Sequence, residues 1–326
     1  MRQYIFKRLA LGVPTLIGVS LLVFFMLRVL PGDIVQQVAG DNLVTDEDRA
    51  RIERDLGLDK PAYQEYFSWI GNAATFDFGL SLRDRQPIGD RLQRTLPTTI
   101  EMSLLALLIS LVIAVPIGII SAVRQDSIAD YVGRSVSIGF LAMPTFWLGT
   151  MIIVYSSEWF RWATPLPRDY EQIWENPWAN LKFLLFPFGH FVPAGPSVVL
   201  GVSLSGTVMR LMRTQMLEVL RQDYVRTAWA KGLRERSVVV RHALKNALIP
   251  VVTVVGLQVP ILVGGSVIVE SIYNVPGIGQ WFFTAIIARD YTAVQAIALL
   301  TALAVVLSNL IVDITYAYLD PRIRYS

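Results

Sequence analysis

Residues 224–250 read YVRTAWAKGLRERSVVVRHALKNALIP, and apolar runs lie on both sides of them. From Arg210 to Lys245 there are nine basic residues against three acidic ones, Glu218, Asp223 and Glu235. Asp223 suits the positive end of a helix dipole. Tyr224, Ala228 and Gly232 recur at i+4 and leave a smooth face with one aromatic knob. Gly232 supplies a left-handed stop that lets the chain double back. A second helix, over about 236–247, leads to Pro250 as its stop and to the next apolar run. Any inner loop of a membrane protein collects positive charge. Two ordered short helices with a small-residue face are more than that, and look built for a partner to grip.

Working outward, the 326 residues are 53% hydrophobic and 17% charged, with a mean hydropathy of +0.48. A soluble chain carries about 25% charged residues. The charge is concentrated between long windows that almost lack it, the pattern of a multi-spanning membrane protein. Six windows are apolar over span length: 9–30, 100–123, 135–157, 192–212, 248–270 and 291–313. The first follows Arg2, Lys7 and Arg8, but it is longer than a signal-peptide core and no A-x-A-like site follows, so it reads as a retained span. The chain has no cysteine, which excludes disulfides, thiolate metal sites and a Cys nucleophile. Its basic residues flank apolar spans instead of forming a soluble face, which argues against nucleic-acid binding.

Lys and Arg in the short loops set the orientation. With the N-terminus inside, the inner segments hold sixteen: Arg2, Lys7, Arg8, Arg124, Arg134, the nine from Arg210 to Lys245, Arg322 and Arg324. The short outer loops hold four: Arg161, Arg168, Lys182 and Arg289. Segment 31–96 has eight basic and twelve acidic residues and is long enough to be largely exempt. The expectation is six helices with both termini inside.

Ala106, Ser110, Ala114, Gly118 and Ala122 form a flat strip on the second helix, where another helix can approach closely. The fifth span carries Gly256, Pro260, Gly264 and Gly265, and Pro260 is expected to kink or loosen it at mid-membrane. Gly256, Gln258, Gly264 and Ser266 are therefore the expected pathway-lining residues. Outside the membrane, Thr45 and Asp48 resemble a capping box, Gly57 closes the helix begun there, and AYQEYFSWI forms an aromatic-rich second helix. Trp159, Trp162, Trp174 and Trp178 in the loop 158–191 suit an interfacial belt, with a docking surface as the alternative.

None of the five lysines precedes Ser or Thr, so there is no P-loop. His190 and His242 occupy different loops, and neither H-E-x-x-H nor a Ser-His-Asp arrangement is in view. No catalytic or metal-ligating residues are expected. Arg28, Glu101, Arg210, Glu270 and Asp313 are read near helix ends, whereas an ion-driven carrier keeps a carboxylate near the midplane. The chain reads as a membrane protein without its own energy source.

DYVRTAWAKGLRERSVVVRHALKNALIP resembles the cytoplasmic signature loop of permease subunits of ABC importers, in the dipeptide, oligopeptide and nickel branch. The likeness covers essentially the whole chain. MRQYIFKRLALGVPTLIGVSLLVFFMLRVLPGD is similar to that branch's first helix, DLGLDKPAYQEYFSWI and DFGLSL to its outer segment, and MPTFWLG and YLDPRIRYS to its third span and C-terminus.

The resemblance implies an all-α, type I importer permease fold over residues 1–326, in a bacterial inner membrane. Its parts are an extracytoplasmic segment 31–96, an outer loop 158–191 and an ATPase-coupling loop 213–247. It implies a second, homologous permease, two ATP-binding subunits that hold ATP and Mg, and an extracytoplasmic solute-binding protein. Surrounding membrane lipid is a further partner. Carried onto this sequence, the coupling positions are Asp223, Tyr224, Arg226, Thr227, Ala228, Lys231 and Gly232. The general signature has Glu-Ala-Ala, three residues, then Gly; here Arg226 and Thr227 fill the first two places. The rival reading is a self-sufficient ion-coupled carrier or channel, against which the missing midplane carboxylate argues.

Overall fold

The computed structural model describes residues 2–29, 35, 45–55, 59–161, 170–186 and 194–319. Its elements there are helical, apart from one bridge between Leu80 and Pro87. In chain order they are α1 (Arg2–Val29), α2 (Asp46–Asp55), α3 (Ala62–Ala74), α4 (Ile88–Val123), α5 (Ile128–Ala142), α6 (Thr145–Phe160) and α7 (Pro177–Leu185). Then come α8 (Pro196–Leu220), α9 (Asp223–Ala230), α10 (Glu235–Ser237), a π-helical turn (Val238–Ala243), α11 (Leu244–Gly265), α12 (Val267–Tyr273), α13 (Ile278–Ile287) and α14 (Tyr291–Leu319). The chain divides into two compact units, Met1–Thr99 with Pro276–Leu310, and Ile100–Val275 with Ile311–Ser326.

In the first unit, α1 and α3 are joined where Ser20 Oγ and the Tyr66 hydroxyl lie 2.8 Å apart, with Phe24 edge-on to the Tyr66 ring. The helix expected from AYQEYFSWI is α3. The cap expected ahead of it is present too, since the Asp48 N–H donates to Thr45 Oγ1 at 3.1 Å. Gly57 lies outside the described residues. Phe78, Ile88, Leu92, Ile278, Trp281 and Ile297 form the core. Asp290 closes it by accepting from Ser81 Oγ and from the Leu82 and Ala293 N–H groups, so one carboxylate caps α14 and clamps the loop before α4.

The second unit is organised around α8. Eleven of its residues are buried, among them Ser197, Gly201, Ser205 and Gly206. At 25 residues and about 1.5 Å per residue it is long enough to cross a ~30 Å hydrocarbon core. It is nevertheless missing from the helices that qualify as spans by composition. Arg210 and Arg213 in its C-terminal half lower its hydropathy, and so do the Ser and Gly residues on its buried face, where small residues let neighbouring helices approach. The flat strip on α4 is its landing surface. Ala106, Ser110, Ala114, Gly118 and Ala122 are all buried, and a Cβ on Gly201 would stand 2.8 Å from the Ala106 carbonyl oxygen.

The windows expected to span correspond to helices, with corrections. α4, residues 235–259 and α14 are long and apolar enough to cross a membrane, and α1 contains a shorter apolar stretch, Ala10–Met26. The window 135–157 is not one straight span, because α5 and α6 meet at 94°. Pro144 caps α6 with φ −61° and holds Met143 extended at ψ 116°, the conformation forced on a residue before proline. Glu101 is interior to its helix, since the polar run IGDRLQRTLPTT extends α4 back to Ile88. Pro250 stops nothing. α11 runs through it to Gly265, and the interruption falls at Ser266 rather than at Pro260. Packed membrane helices tolerate a lost i→i−4 bond. The second short helix, expected over 236–247, is α10, the π-turn and the first turn of α11 in continuous succession.

Candidate functional site

α9 is eight residues long and is finished by hydrogen bonds its own sequence supplies. The Gly232 N–H donates to the Trp229 carbonyl at 2.9 Å and the Leu233 N–H to the Ala228 carbonyl at 3.4 Å. Gly232 sits between them at φ +75°. That paired 5→2 and 6→1 closure is a Schellman end, which favours Gly because left-handed backbone crowds a Cβ. The stop expected at Gly232 is present.

The helix has two unlike faces. Val225 and Ala228 are buried against Val238 of the π-turn, with Val219 and Leu220 of α8 packed beside them. Asp223, Tyr224, Arg226, Thr227, Lys231 and Gly232 face outward. The side chains of Asp223 and Arg226 are 97% and 71% exposed, and their 3.6 Å ion pair is accordingly weak. Six of the seven expected coupling residues thus share an accessible surface. Ala228 does not: it is 5% exposed and anchors the helix, so the smooth i+4 face of Tyr224, Ala228 and Gly232 is not a free one. Trp229 and Leu233, 45% and 38% exposed, stand on the outer surface and were not anticipated. The signal for them was in the sequence, as large apolar residues within an otherwise charged stretch.

The site is tied to α11 by a hydrogen bond from Asn246 Nδ2 to the Tyr224 hydroxyl at 2.6 Å. A second polar cluster lies on α4, α5 and α8. Buried Asp130 accepts from Ser121 Oγ, from the Asp126 N–H at 3.0 Å, and from Arg213 Nε and Nη2 at 2.7 and 2.9 Å. Arg213 is thereby held bidentate, with its fork matched to both carboxylate oxygens. Sequence reading gave no hint of it, since the partners are 83 residues apart.

Of the expected pathway residues, Gly256 is accounted for by packing, because a Cβ there would stand 2.5 Å from Val312 Cγ2. Ser266 is fully buried and donates to Glu270 Oε1 at 2.6 Å. Gln258 is half-buried. The surroundings of Gly264 lie outside the described residues.

Long apolar helices, with a short, internally anchored and outward-facing helix between two of them, define a membrane protein. Comparison with known proteins supplies the family. Residues 114–325 match the binding-protein-dependent transport system inner membrane component, and residues 1–103 match the N-terminal part of such membrane components. The chain belongs to this family, the permease components of ABC transporters. It is 36% identical to the dipeptide transport system permease protein DppB of Escherichia coli K12, over 100% of this chain and 99% of the relative. It is 40% identical to the di/tripeptide permease DppB of Pseudomonas aeruginosa UCBPP-PA14, with the same coverage. It is 36% identical to the oligopeptide permease AppB of Bacillus subtilis 168, over the full length of both. This protein is an inner-membrane subunit without an ATPase site, and hydrolysis belongs to separate subunits. ATPase and binding-protein partners complete the transporter.

Proposed function

We propose that this chain is one of two homologous permease subunits of an importer for di- or oligopeptides and solutes of similar size. It crosses the inner membrane six times with both termini inside and forms half of the pathway. Two ATP-binding subunits, carrying ATP and Mg, drive it, and a solute-binding protein delivers cargo to the outer face. The peptide assignment is supported by the relatives, which are peptide permeases of nearly the same length. The orientation is supported by sixteen basic residues in the inner segments against four in the short outer loops.

The observation that carries the coupling role is the geometry of α9. It is gripped from inside by Val225, Ala228 and Val238 and leaves Asp223, Tyr224, Arg226, Thr227 and Lys231 for a partner. An ATPase subunit that holds this face moves α11 with it, because α9 is attached to α11 through Asn246 and to the π-turn through Val238. Gln258, half-buried on α11, is retained as a pathway residue.

The test is reconstitution of the complete importer with its binding protein and a di- or tripeptide. Arg226→Glu reverses charge on the exposed face without disturbing the anchor. It should leave the permease assembled in the membrane and abolish peptide-stimulated ATP hydrolysis and uptake. Unchanged stimulation removes the coupling role. Peptide uptake by the purified chain alone, driven by an ion gradient, would instead establish the self-sufficient carrier.

A further inference from the structure

A cavity of about 140 Å³ opens where the last turns of α4 and the C-terminal part of α8 meet the first turns of α5. Its walls are apolar at Ile117, Ile138 and Met209, and its rim is cationic at Arg134, Arg210 and Arg213. Ser121, which also lines it, is two residues before the end of α4. The cavity therefore sits where the apolar window 100–123 ends, at the membrane boundary.

The positive charge at this rim is only partly answered. Arg213 is spent on Asp130, and Arg134 Nη2 lies 3.1 Å from Asp130 and 3.7 Å from Asp126. Three cations thus face two carboxylates, and the surplus rests on Arg210. That residue is exposed, and its side chain makes no hydrogen bond or ion pair among the described residues. Arg134 has donors to spare as well. Its Nη2 is turned to Asp130, but its Nε is shielded from water without a hydrogen-bond acceptor, while its guanidinium stands 4.6 Å over the Tyr131 ring. A desolvated N–H without an acceptor is unfavourable, so acceptor oxygens are what this site lacks. Beside the rim, α5 presents Tyr131, Val132 and Ile138 at 57%, 56% and 64% exposure, an apolar surface that continues toward the membrane interior.

We propose that this cavity binds an anionic phospholipid, with its phosphate held by Arg134 and Arg210 and the start of its acyl chains along Ile117 and Ile138. A basic pocket between membrane helices at the headgroup level is the arrangement that selects such lipids. The guanidinium fork suits phosphate oxygens, and the apolar walls give a free anion nothing.

The experiment uses the assembled importer extracted from its membrane, with native mass spectrometry counting the phosphatidylglycerol and cardiolipin that stay bound. Arg210→Gln should lower retained anionic phospholipid roughly fivefold, the weight of one arginine near a charged surface. Arg210→Lys should keep most of it. Arg210→Gln removes no observed side-chain contact, so the result does not depend on a damaged fold; adding Arg134→Gln should deepen the loss. In parallel, Tm is measured in nanodiscs of phosphatidylethanolamine with and without phosphatidylglycerol. The phosphatidylglycerol-dependent rise should vanish in the glutamine variant. Equal lipid retention, or an equal rise, overturns the proposal. If inorganic phosphate alone reproduces the whole rise, the site takes a free anion and the lipid assignment is wrong.

Discussion

The Tyr224 hydroxyl on α9 accepts a 2.6 Å hydrogen bond from Asn246 Nδ2 on α11, across 22 residues of sequence. Between the two lie the Schellman turn at Gly232 and the π-turn, whose Val238 packs against Val225 and Ala228. α9 is thus held to the first turn of α11 by one polar contact and to the π-turn leading into it by an apolar one. The proposed coupling would pass from α9 to α11 through these contacts.

Tyr224→Phe keeps the ring and removes the bond. A hydrogen bond of this kind contributes about 1 kcal/mol net, so assembly and Tm of the permease should change little. Coupling should suffer more, with peptide-stimulated ATP hydrolysis falling several-fold. Asn246→Ala should produce the same defect, and the double variant should be no worse than either single one, the signature of one shared contact. Independent, additive losses would show that the bond does not transmit.

Gly232 tests the turn itself. At φ +75° a Cβ meets no neighbouring atom, so the cost of substitution there is conformational and not steric crowding by the rest of the fold. Gly232→Ala should cost about 1–2 kcal/mol of local stability. Asn, which tolerates left-handed backbone, should cost less, and Val more. Gly232→Pro cannot adopt this φ at all and should uncouple hydrolysis from transport. Hydrogen exchange at the Gly232 and Leu233 amides reports the turn directly, and the order Asn, Ala, Val should appear there.

Where the sequence could be read, the signal was local. The strip Ala106 to Ala122 is periodic, and all five positions are buried. Gly232 and the Thr45–Asp48 cap are short-range chemistry and appear in the expected places. The misreadings concern prolines and faces. Pro144 turns the third window by 94° while Pro250 interrupts nothing, and what separates them is tertiary support, which has no local signature. Ala228 looked like part of a free face because small residues suit both docking and packing. The Asp130–Arg213 pair was invisible because two charged residues 83 apart carry no periodicity. α8 illustrates the converse: its small buried residues Ser197, Gly201, Ser205 and Gly206 lower its hydropathy while serving close packing.

Gly201 is one of the close approaches of α8 to α4. A Cβ would stand 2.8 Å from the Ala106 carbonyl oxygen and from Ile109 Cβ and Cγ2, and backbone on one side and a β-branched residue on the other leave little room to yield. Gly201→Val should overpack this contact by more than the usual ~1–3 kcal/mol and sharply lower the yield of folded permease. Gly201→Ala should retain measurable protein at reduced Tm. Full yield of the valine variant would mean that the two helices separate freely here.

The cluster at Asp130 makes the strongest demand on stability. Its carboxylate is 0% exposed and answers Arg213, Arg134, the Ser121 hydroxyl and the Asp126 N–H. Asp130→Ala leaves Arg213, 20% exposed, without its counter-charge and strands the other donors. Breaking a buried pair in this way costs about 3–5 kcal/mol. Asp130→Asn keeps one acceptor oxygen and should lose less. Arg213→Met should also lose less than Asp130→Ala, since Arg134 at 3.1 Å still answers the carboxylate. Combining Asp130→Ala with Arg213→Met removes both charges, and part of the lost stability should return. Because the pair is shielded, raising the salt concentration should barely alter these differences. Denaturation of the purified importer, followed through the unfolding of this subunit, measures all four variants. A double variant as unstable as Asp130→Ala would mean that the carboxylate acts through Ser121 and the α4–α5 connection, and not through Arg213.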